Sequence, residues 1–255
     1  MTVHQAAGVG YQRAAGEYER SRPSYPMSVL TELATALGLE RGRTVVDIGA
    51  GTGKFTRLLA LTGARVLAVE PVAAMRESLA ELLPSVTVID GTGERTGLPD
   101  GSVDAVVAAQ SWHWFQQEAA LSEVERVLRA GGALALVWNT YDVTVPWVRD
   151  FEAIYFRRAP SGLPSHHDGA WRRALEQRPG WSPVRERHLP NPHSITRQQV
   201  VERMLSSSHI AALDRAGQAR VRAEVEEVLQ RHAATRDRES VEVPYITDVY
   251  WARRG

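Results

Sequence analysis

The segment Val45-Val46-Asp47-Ile48-Gly49-Ala50-Gly51-Thr52-Gly53 constrains this chain more than any other. A short apolar run bounded by turn residues reads as a strand buried on both faces. Glycines then recur at every second position. Glycine permits positive φ and lets a ligand lie against the backbone. A helix after such a loop would aim its N–H groups and positive dipole end at the same place. Ligands of open α/β sheets bind where parallel strands end, and Asp47 stands there.

Two well-known ligand loops fail the spacing test. The dinucleotide fingerprint G-x-G-x-x-G requires a third glycine at Lys54 or at Thr56. The phosphate loop G-x-x-x-x-G-K-[ST] requires glycine where Ile48 stands and a hydroxyl where Phe55 stands.

The surrounding pattern is β-α-β. Apolar residues at helical spacing from Met27 to Leu37 predict a first helix, closed by Gly38. Strands are expected at Thr44 to Ile48, Arg65 to Val69, Val86 to Ile89, Val103 to Ala109 and Ala133 to Trp138. Helices are expected at Lys54 to Leu61, Val72 to Leu83 and Gln117 to Leu128, with Gly131-Gly132 turning the chain into the fifth strand. Right-handed crossovers should connect them. Beyond Asn139 the signal thins. Residues 145 to 180 read as helical segments joined by loops, and Leu189 to Pro192 as a turn. Arg197 to Leu205 and Ala216 to His232 read as helices, and Val241 to Tyr250 as a strand broken by Pro244. The Arg/Glu alternation around Ala216 to Arg238 reads as a solvated helix face.

Composition sets the outer limits. With 255 residues and 44% hydrophobic content, the chain can bury a substantial core. Thirty basic and thirty acidic residues cancel, against the basic excess of a dedicated nucleic-acid binder. The absence of cysteine rules out disulfides, Cys zinc sites and Cys nucleophiles. No run approaches the roughly 20 apolar residues of a membrane span, and the N-terminus lacks a signal-peptide pattern. A cytoplasmic location without a membrane partner is the expectation.

Glu70 ends the second strand about 20 residues after the glycine loop, where a carboxylate can accept from both hydroxyls of a ribose. It can equally cap the helix that begins near Pro71. A carboxylate there serves NAD and S-adenosylmethionine alike; the glycine spacing favours the latter.

At this point the sequence resembles the class I S-adenosylmethionine-dependent methyltransferases. Within them it is similar to a small-molecule branch that includes ubiquinone/menaquinone and trans-aconitate methyltransferase-like proteins. The carrying stretches run in family order. They are Tyr18 to Pro26, Val46 to Thr56, Val69-Glu70-Pro71, Gly91-Thr92-Gly93-Glu94, Leu98 to Asp104, Gln110 to Phe115 and Val137-Trp138-Asn139. The resemblance implies an α/β fold with a doubly wound, mostly parallel seven-stranded sheet and a helical lid or insertion. It implies a lid and first helix at 1–42, an S-adenosylmethionine-binding core at 43–139, a helical substrate-recognition region with a late strand at 140–235, and a closing strand at 236–255.

It also implies residue roles. Asp47 and the loop at Gly49, Gly51 and Gly53 would lie along the methionine part of the cofactor, and Glu70, followed by Pro71, would hold the ribose. Thr92, Gly93 and Glu94 would lie along the adenine. Many relatives carry Asp where this chain has Thr92, so a backbone N–H near Gly93 or Glu94 would replace that contact. Gln110 would face the methyl end. Tyr18 and Arg22 would come from the lid, with Arg22 a partner for a carboxylate. S-adenosylhomocysteine would be the product.

Methyl transfer from a sulfonium draws largely on proximity and orientation. A base matters only if the acceptor must lose a proton. His113 is the candidate base, set among Trp112, Trp114 and Phe115; the bland alternative makes it structural and the rings core. Trp112, Trp114, Trp138, Asn139 and Tyr141 are candidate substrate contacts, with Trp147, Trp171 and His209 behind them. Lys54 reads as a solvated first-turn lysine. His166-His167-Asp168 lacks a second ligand cluster, so no metal is expected. The expectation is a methyltransferase acting on a small molecule at O, N or C, as a monomer or homodimer. A macromolecular methyltransferase, or a cofactor-binding protein that does not methylate, is the alternative.

Overall fold

The computed structural model describes residues 22–255. Tyr18 therefore lies outside the described residues. In chain order the first elements are α1 (Met27–Leu37), β1 (Thr44–Ile48), α2 (Thr56–Ala60), β2 (Arg65–Val69), α3 (Ala73–Leu82), β3 (Thr87–Ile89) and β4 (Val103–Ala109). Then come α4 (Gln117–Val127), β5 (Leu128–Tyr141), α5 (Pro146–Phe156), α6 (Ala170–Glu176), β6 (Arg185–Pro190) and β7 (His193–Thr196). The last are α7 (Arg197–Leu205), α8 (Ser208–Ala211), α9 (Arg215–Arg231), β8 (Ser240–Val243) and β9 (Tyr245–Arg253). The described chain forms two compact units. A sheet unit holds residues 24–138, 164–189 and 247–255, and a helical unit holds 22–23, 139–163 and 190–246.

Among the described residues the main sheet has seven strands in the order β3-β2-β1-β4-β5-β9-β6. β1 pairs in parallel with β2 and β4, β2 with β3, and β4 with β5. Arg254 N–H bonds the Gly132 carbonyl, and the Thr140 hydroxyl bonds the Ile246 carbonyl, so β9 runs against β5. The order reverses between β1 and β4, which makes the carboxyl end of β1 the switch point where doubly wound sheets bind ligands.

Alternation along β1 explains the layering. Val45 faces one core with Leu33, Leu37, Leu59, Leu79 and Ala105. Val46 and Ile48 face another with Leu67, Val106, Leu121, Val124 and Leu134. Val29, Leu30, Leu33 and Leu37 give α1 its buried stripe, and Gly38 ends it at φ 68°.

Three local expectations shift. The helix after the glycine loop spans five residues, Thr56–Ala60, because Thr52 to Phe55 form turns. Gly131-Gly132 does not precede the fifth strand but lies inside it. β5 starts at Leu128, and its register against β4 slips between Val103 and Ala105. A Cβ at Gly132 would sit 2.9 Å from the Arg129 carbonyl oxygen, so glycine makes that bulge. The expected turn at Leu189 to Pro192 is the end of β6. Its side chains, from Arg185 to Pro190, are almost all exposed, so no apolar alternation marks it.

In the helical unit, α5, α7 and α9 share a core of Trp147, Val148, Phe151, Val200, Val221 and Val225. β7 and β8 pair antiparallel beside it. A capping box at Thr196 and Gln199 starts α7, and Asp214 caps α9.

Candidate active site

Asp47 sits at the carboxyl end of β1 and is buried. Its Oδ2 accepts a 2.7 Å bond from the Thr56 hydroxyl at the start of α2. Its Oδ1 is shielded from solvent and has no hydrogen-bond partner among the described residues. Burial pushes its pKa up to about 7, Thr56 offsets part of that, and the charge of Glu70 adds to it.

Glu70, at the end of β2, is also buried. Oε2 accepts from the Gly51 N–H at 2.9 Å, and Oε1 accepts from the Val72 N–H at 2.9 Å, just before α3. Both bonds favour the ionised form, yet burial outweighs them and raises the pKa. One oxygen thus holds the residue that precedes α3, and the other ties to the glycine loop. Each oxygen keeps a further lone pair for a ligand. Pro71 is half-buried in the turn between Glu70 and Val72.

The loop glycines differ in what they do. Gly49, Gly51 and Gly53 all have positive φ, at 69°, 58° and 87°. A Cβ at Gly49 would meet Ser111 Cβ at 2.6 Å, and one at Gly53 would meet Leu79 at 2.9 Å. These two let the loop pack on the protein. At Gly51 the nearest atom would be Met75 Sδ at 4.0 Å, so this glycine faces open space.

The loop from Thr92 to Thr96 is equally tight. Thr92 and Arg95 exchange two backbone bonds. A Cβ at Gly93 would lie 2.6 Å from the Phe115 ring, and Glu94 Oε1 accepts from the Gln116 N–H at 2.9 Å. Glu123 of α4 holds the far end, since its Oε1 accepts from both Thr96 N–H (2.7 Å) and Thr96 Oγ1 (2.6 Å). Gln110, beyond β4, has φ 56°, an uncommon left-handed conformation for a residue that is not glycine. Its N–H bonds Val137 O at 2.9 Å.

Comparison with known proteins fits this geometry. Residues 46–136 match the family model described as a methyltransferase domain. An uncharacterized methyltransferase of Mycobacterium tuberculosis is 35% identical over 252 residues, covering 94% of this chain and 93% of the relative. An uncharacterized methyltransferase-like protein of Schizosaccharomyces pombe is 31% identical, covering 93% and 92%. The chain belongs to the class I S-adenosylmethionine-dependent methyltransferases. A solved structure described as a type II methyltransferase from Anaeromyxobacter dehalogenans superposes with a TM-score of 0.65 at 26% identity, covering 92% of this chain and 97% of that one.

In this methyltransferase the aromatic segment after β4 divides in two. Trp112 is 1% exposed, lies in the core and donates to Gln117 Oε1 at 2.6 Å. Trp138 is fully buried too. Its indole N–H donates to His113 Nδ1 at 3.2 Å. That bond bears on the tautomer of His113. Indole can only donate, so Nδ1 must offer its lone pair, and a neutral His113 carries its proton on Nε2. A ring in that tautomer donates from Nε2 instead of removing a proton there. Trp114 is half-buried, with its ring 4.9 Å from His113.

The short 3₁₀ turn His166–Asp168 brings His166 to 6.3 Å from His113 and stacks it on Trp138 at 5.0 Å with a 12° interplanar angle. Burial, with His167 and His113 nearby, pushes the His166 pKa down to about 3, so the ring is neutral. Among the described residues no group of three or more His, Asp or Glu could hold a metal ion. Trp171 packs on Trp138 in the sheet unit's core.

Other candidates fall in the helical unit. Asn139 Oδ1 accepts from Asn191 Nδ2 at 3.1 Å. Tyr141 stacks with Tyr245 at 4.6 Å. His209 Nε2 meets Tyr155 O at 3.2 Å, and Trp147 is core. Arg22 lies near Tyr155 and Tyr245, whose phenol pKa values are raised by burial, and its charge offsets part of that rise. Lys54 is half-buried in the turn after Gly53.

Sequence reasoning missed Thr56, Ser111 and Glu123. Thr56 and Ser111 lie inside or next to the motif stretches, and their hydroxyls hold Asp47 and the Ile48 carbonyl. Glu123 carries no local signal, because Thr96 is 27 residues away. Among the described residues no helix is long and apolar enough to cross a membrane.

Proposed function

We propose that this methyltransferase uses S-adenosylmethionine and transfers its methyl group to a small-molecule acceptor. The observation that carries the cofactor reading is the pair of buried carboxylates at the ends of adjacent parallel strands, Asp47 with an unpartnered oxygen and Glu70 tied to Gly51. Two buried acceptors beside an open glycine backbone suit the ammonium and hydroxyl donors of that cofactor. Asp47 with the Gly49–Gly53 loop would hold the amino-acid part and Glu70 with Pro71 the ribose. Thr92, Gly93 and Glu94 would line the adenine side, and Gln110 the methyl end. Arg22 and Tyr18 would contribute from the chain's first residues. The bound cofactor supplies an already activated sulfonium methyl group.

The chain's own contribution is then orientation. Trp138 fixes the His113 ring and its tautomer, and His113 Nε2–H orients a lone pair of the acceptor. Trp114, Asn139 and Tyr141 stay as candidate acceptor contacts. The cancelled formal charge supports a small acceptor over a nucleic acid, and a monomer or homodimer in the cytoplasm accords with it.

The test is incubation of the full chain with methyl-tritiated S-adenosylmethionine and separated small-molecule, RNA and protein fractions. Label should enter the small-molecule fraction; label confined to RNA or protein would overturn the acceptor reading. With a substrate in hand, His113→Gln, which keeps a donor, should retain more turnover than His113→Phe. Equal loss in both would remove the donor role.

A further inference from the structure

In the sheet unit a single turn touches both the glycine loop and the loop from Thr92 to Thr96. It runs from Ser111, past the end of β4, into α4. Its own backbone is closed by Trp114 N–H on the Ser111 carbonyl at 3.0 Å and Phe115 N–H on the Trp112 carbonyl at 3.1 Å. The Ser111 hydroxyl donates to the Ile48 carbonyl at 2.8 Å, one residue before Gly49. At the other end the Gln116 N–H donates to Glu94 Oε1 at 2.9 Å, one residue after Gly93. Trp112 roots the turn in the core.

Phe115 stands between these two ties and is half-buried. A Cβ at Gly49 would lie 3.2 Å from its Cζ, and a Cβ at Gly93 would lie 2.6 Å from its Cδ2 and Cε2. The tip of the ring therefore rests against one loop and its edge against the other. The two glycines answer different demands. Gly49 has φ 69°, which favours glycine whatever lies beside it. Gly93 lies outside the left-handed region, so the ring, and not the backbone, excludes a side chain there.

Neither loop has slack to absorb a change in that ring. A Cβ at Gly91 would meet Val69 of β2 and the Arg95 and Thr96 carbonyls within 2.9 Å, and Glu123 holds Thr96 from α4. Gly53 packs on Leu79 of α3, and Glu70 holds the Gly51 N–H. Close-packed interiors pass a displacement on instead of damping it. A phenyl ring is a rigid plate, and a ligand that spans two loops needs their spacing held to within about 0.5 Å.

We propose that Phe115 is a positioning residue for the cofactor: its ring is the spacer that sets the gap between the glycine loop at Gly49 and the loop at Gly93, and with it the fit of a nucleoside that spans both. This deepens the cofactor reading and rests on it.

The test is calorimetric titration of the full chain with S-adenosylhomocysteine, with thermal unfolding of each variant measured without ligand. Phe115→Ala, which removes both contacts, should weaken S-adenosylhomocysteine on the order of tenfold in a chain that still folds. Phe115→Leu keeps a branched side chain near Gly93 but has no atom at the ring tip, so its loss should be smaller; it decides the matter if Phe115→Ala does not fold. Gly93→Ala, which drives a Cβ into the ring, should also weaken binding. The double variant Gly93→Ala with Phe115→Ala should lose less than the product of the two single losses, because one ring carries both effects. A ring that serves only as core would lower the melting temperature and leave S-adenosylhomocysteine affinity within about twofold of wild type. That outcome, or losses that multiply in the double variant, overturns the spacer role while leaving the cofactor reading intact. No S-adenosylhomocysteine binding by the folded wild-type chain would overturn the cofactor reading and the spacer role together.

Discussion

The two units hold their polar groups in opposite ways. In the sheet unit the site residues are tied at strand ends and turns: Glu70 to the N–H groups of Gly51 and Val72, Glu94 to that of Gln116, and Asp47 to the Thr56 hydroxyl. Strand ends and glycine turns bring these groups together, so the fold itself builds the site. In the helical unit the comparable cluster is assembled by side chains from distant segments, with Arg203 over Tyr141 and Tyr141 on Tyr245. The first arrangement suits a ligand common to a family. The second can change with a few substitutions.

The largest expected effect probes the buried carboxylate. The folded pKa of Asp47, about 7, exceeds its ordinary value of 3.8. Folding therefore favours the protonated form. The contribution is fully present below about pH 3.8 and is lost as pH rises to about 7. A rise of roughly three units corresponds to on the order of 4 kcal/mol. Asp47→Asn should flatten this component of the stability profile between pH 4 and 8, measured by denaturant unfolding without ligand. An unchanged profile would mean that Asp47 is ionised in the free protein.

Next in size is Gly93→Ala, whose Cβ would fall 2.6 Å from the Phe115 ring. Overpacking of this kind costs about 1–3 kcal/mol. S-adenosylhomocysteine affinity should fall with stability, and adding Phe115→Ala should restore part of the stability. Failure of the second change to rescue would place the strain elsewhere.

Thr196→Ala then tests the contrast from the other unit. Losing the capping box of α7 should cost about 1 kcal/mol in thermal unfolding while S-adenosylhomocysteine affinity stays unchanged. A drop in that affinity would show that the helical unit supports cofactor binding. Smallest is Glu227→Gln, which breaks the exposed pair with Arg231. It should shift stability by only a few tenths of a kcal/mol.

Legibility in the sequence follows the same division. β1, β2 and β4 could be read to the residue, because buried parallel strands are apolar runs closed by Gly, Asp or Pro. The positions of Asp47, Glu70 and the three glycines could be read because each depends on spacing along one strand and one turn. β6 could not, since Arg185 to Pro190 is an exposed edge without alternation. The β5 bulge could not, because Gly131-Gly132 reads as a turn until the β4 register is known. The state of the His113 ring could not be read either. Its tautomer depends on Trp138, 25 positions away, and no local pattern reveals that bond.

The central claim, that the loop from Asp47 to Gly53 together with Glu70 binds an S-adenosyl cofactor, is tested most directly by calorimetric titration of the full chain with S-adenosylhomocysteine and with NAD. The account predicts one saturable S-adenosylhomocysteine site, lost in Glu70→Ala, and no heat from NAD beyond dilution. Saturable NAD binding, or no S-adenosylhomocysteine binding by a folded wild-type chain, would contradict it.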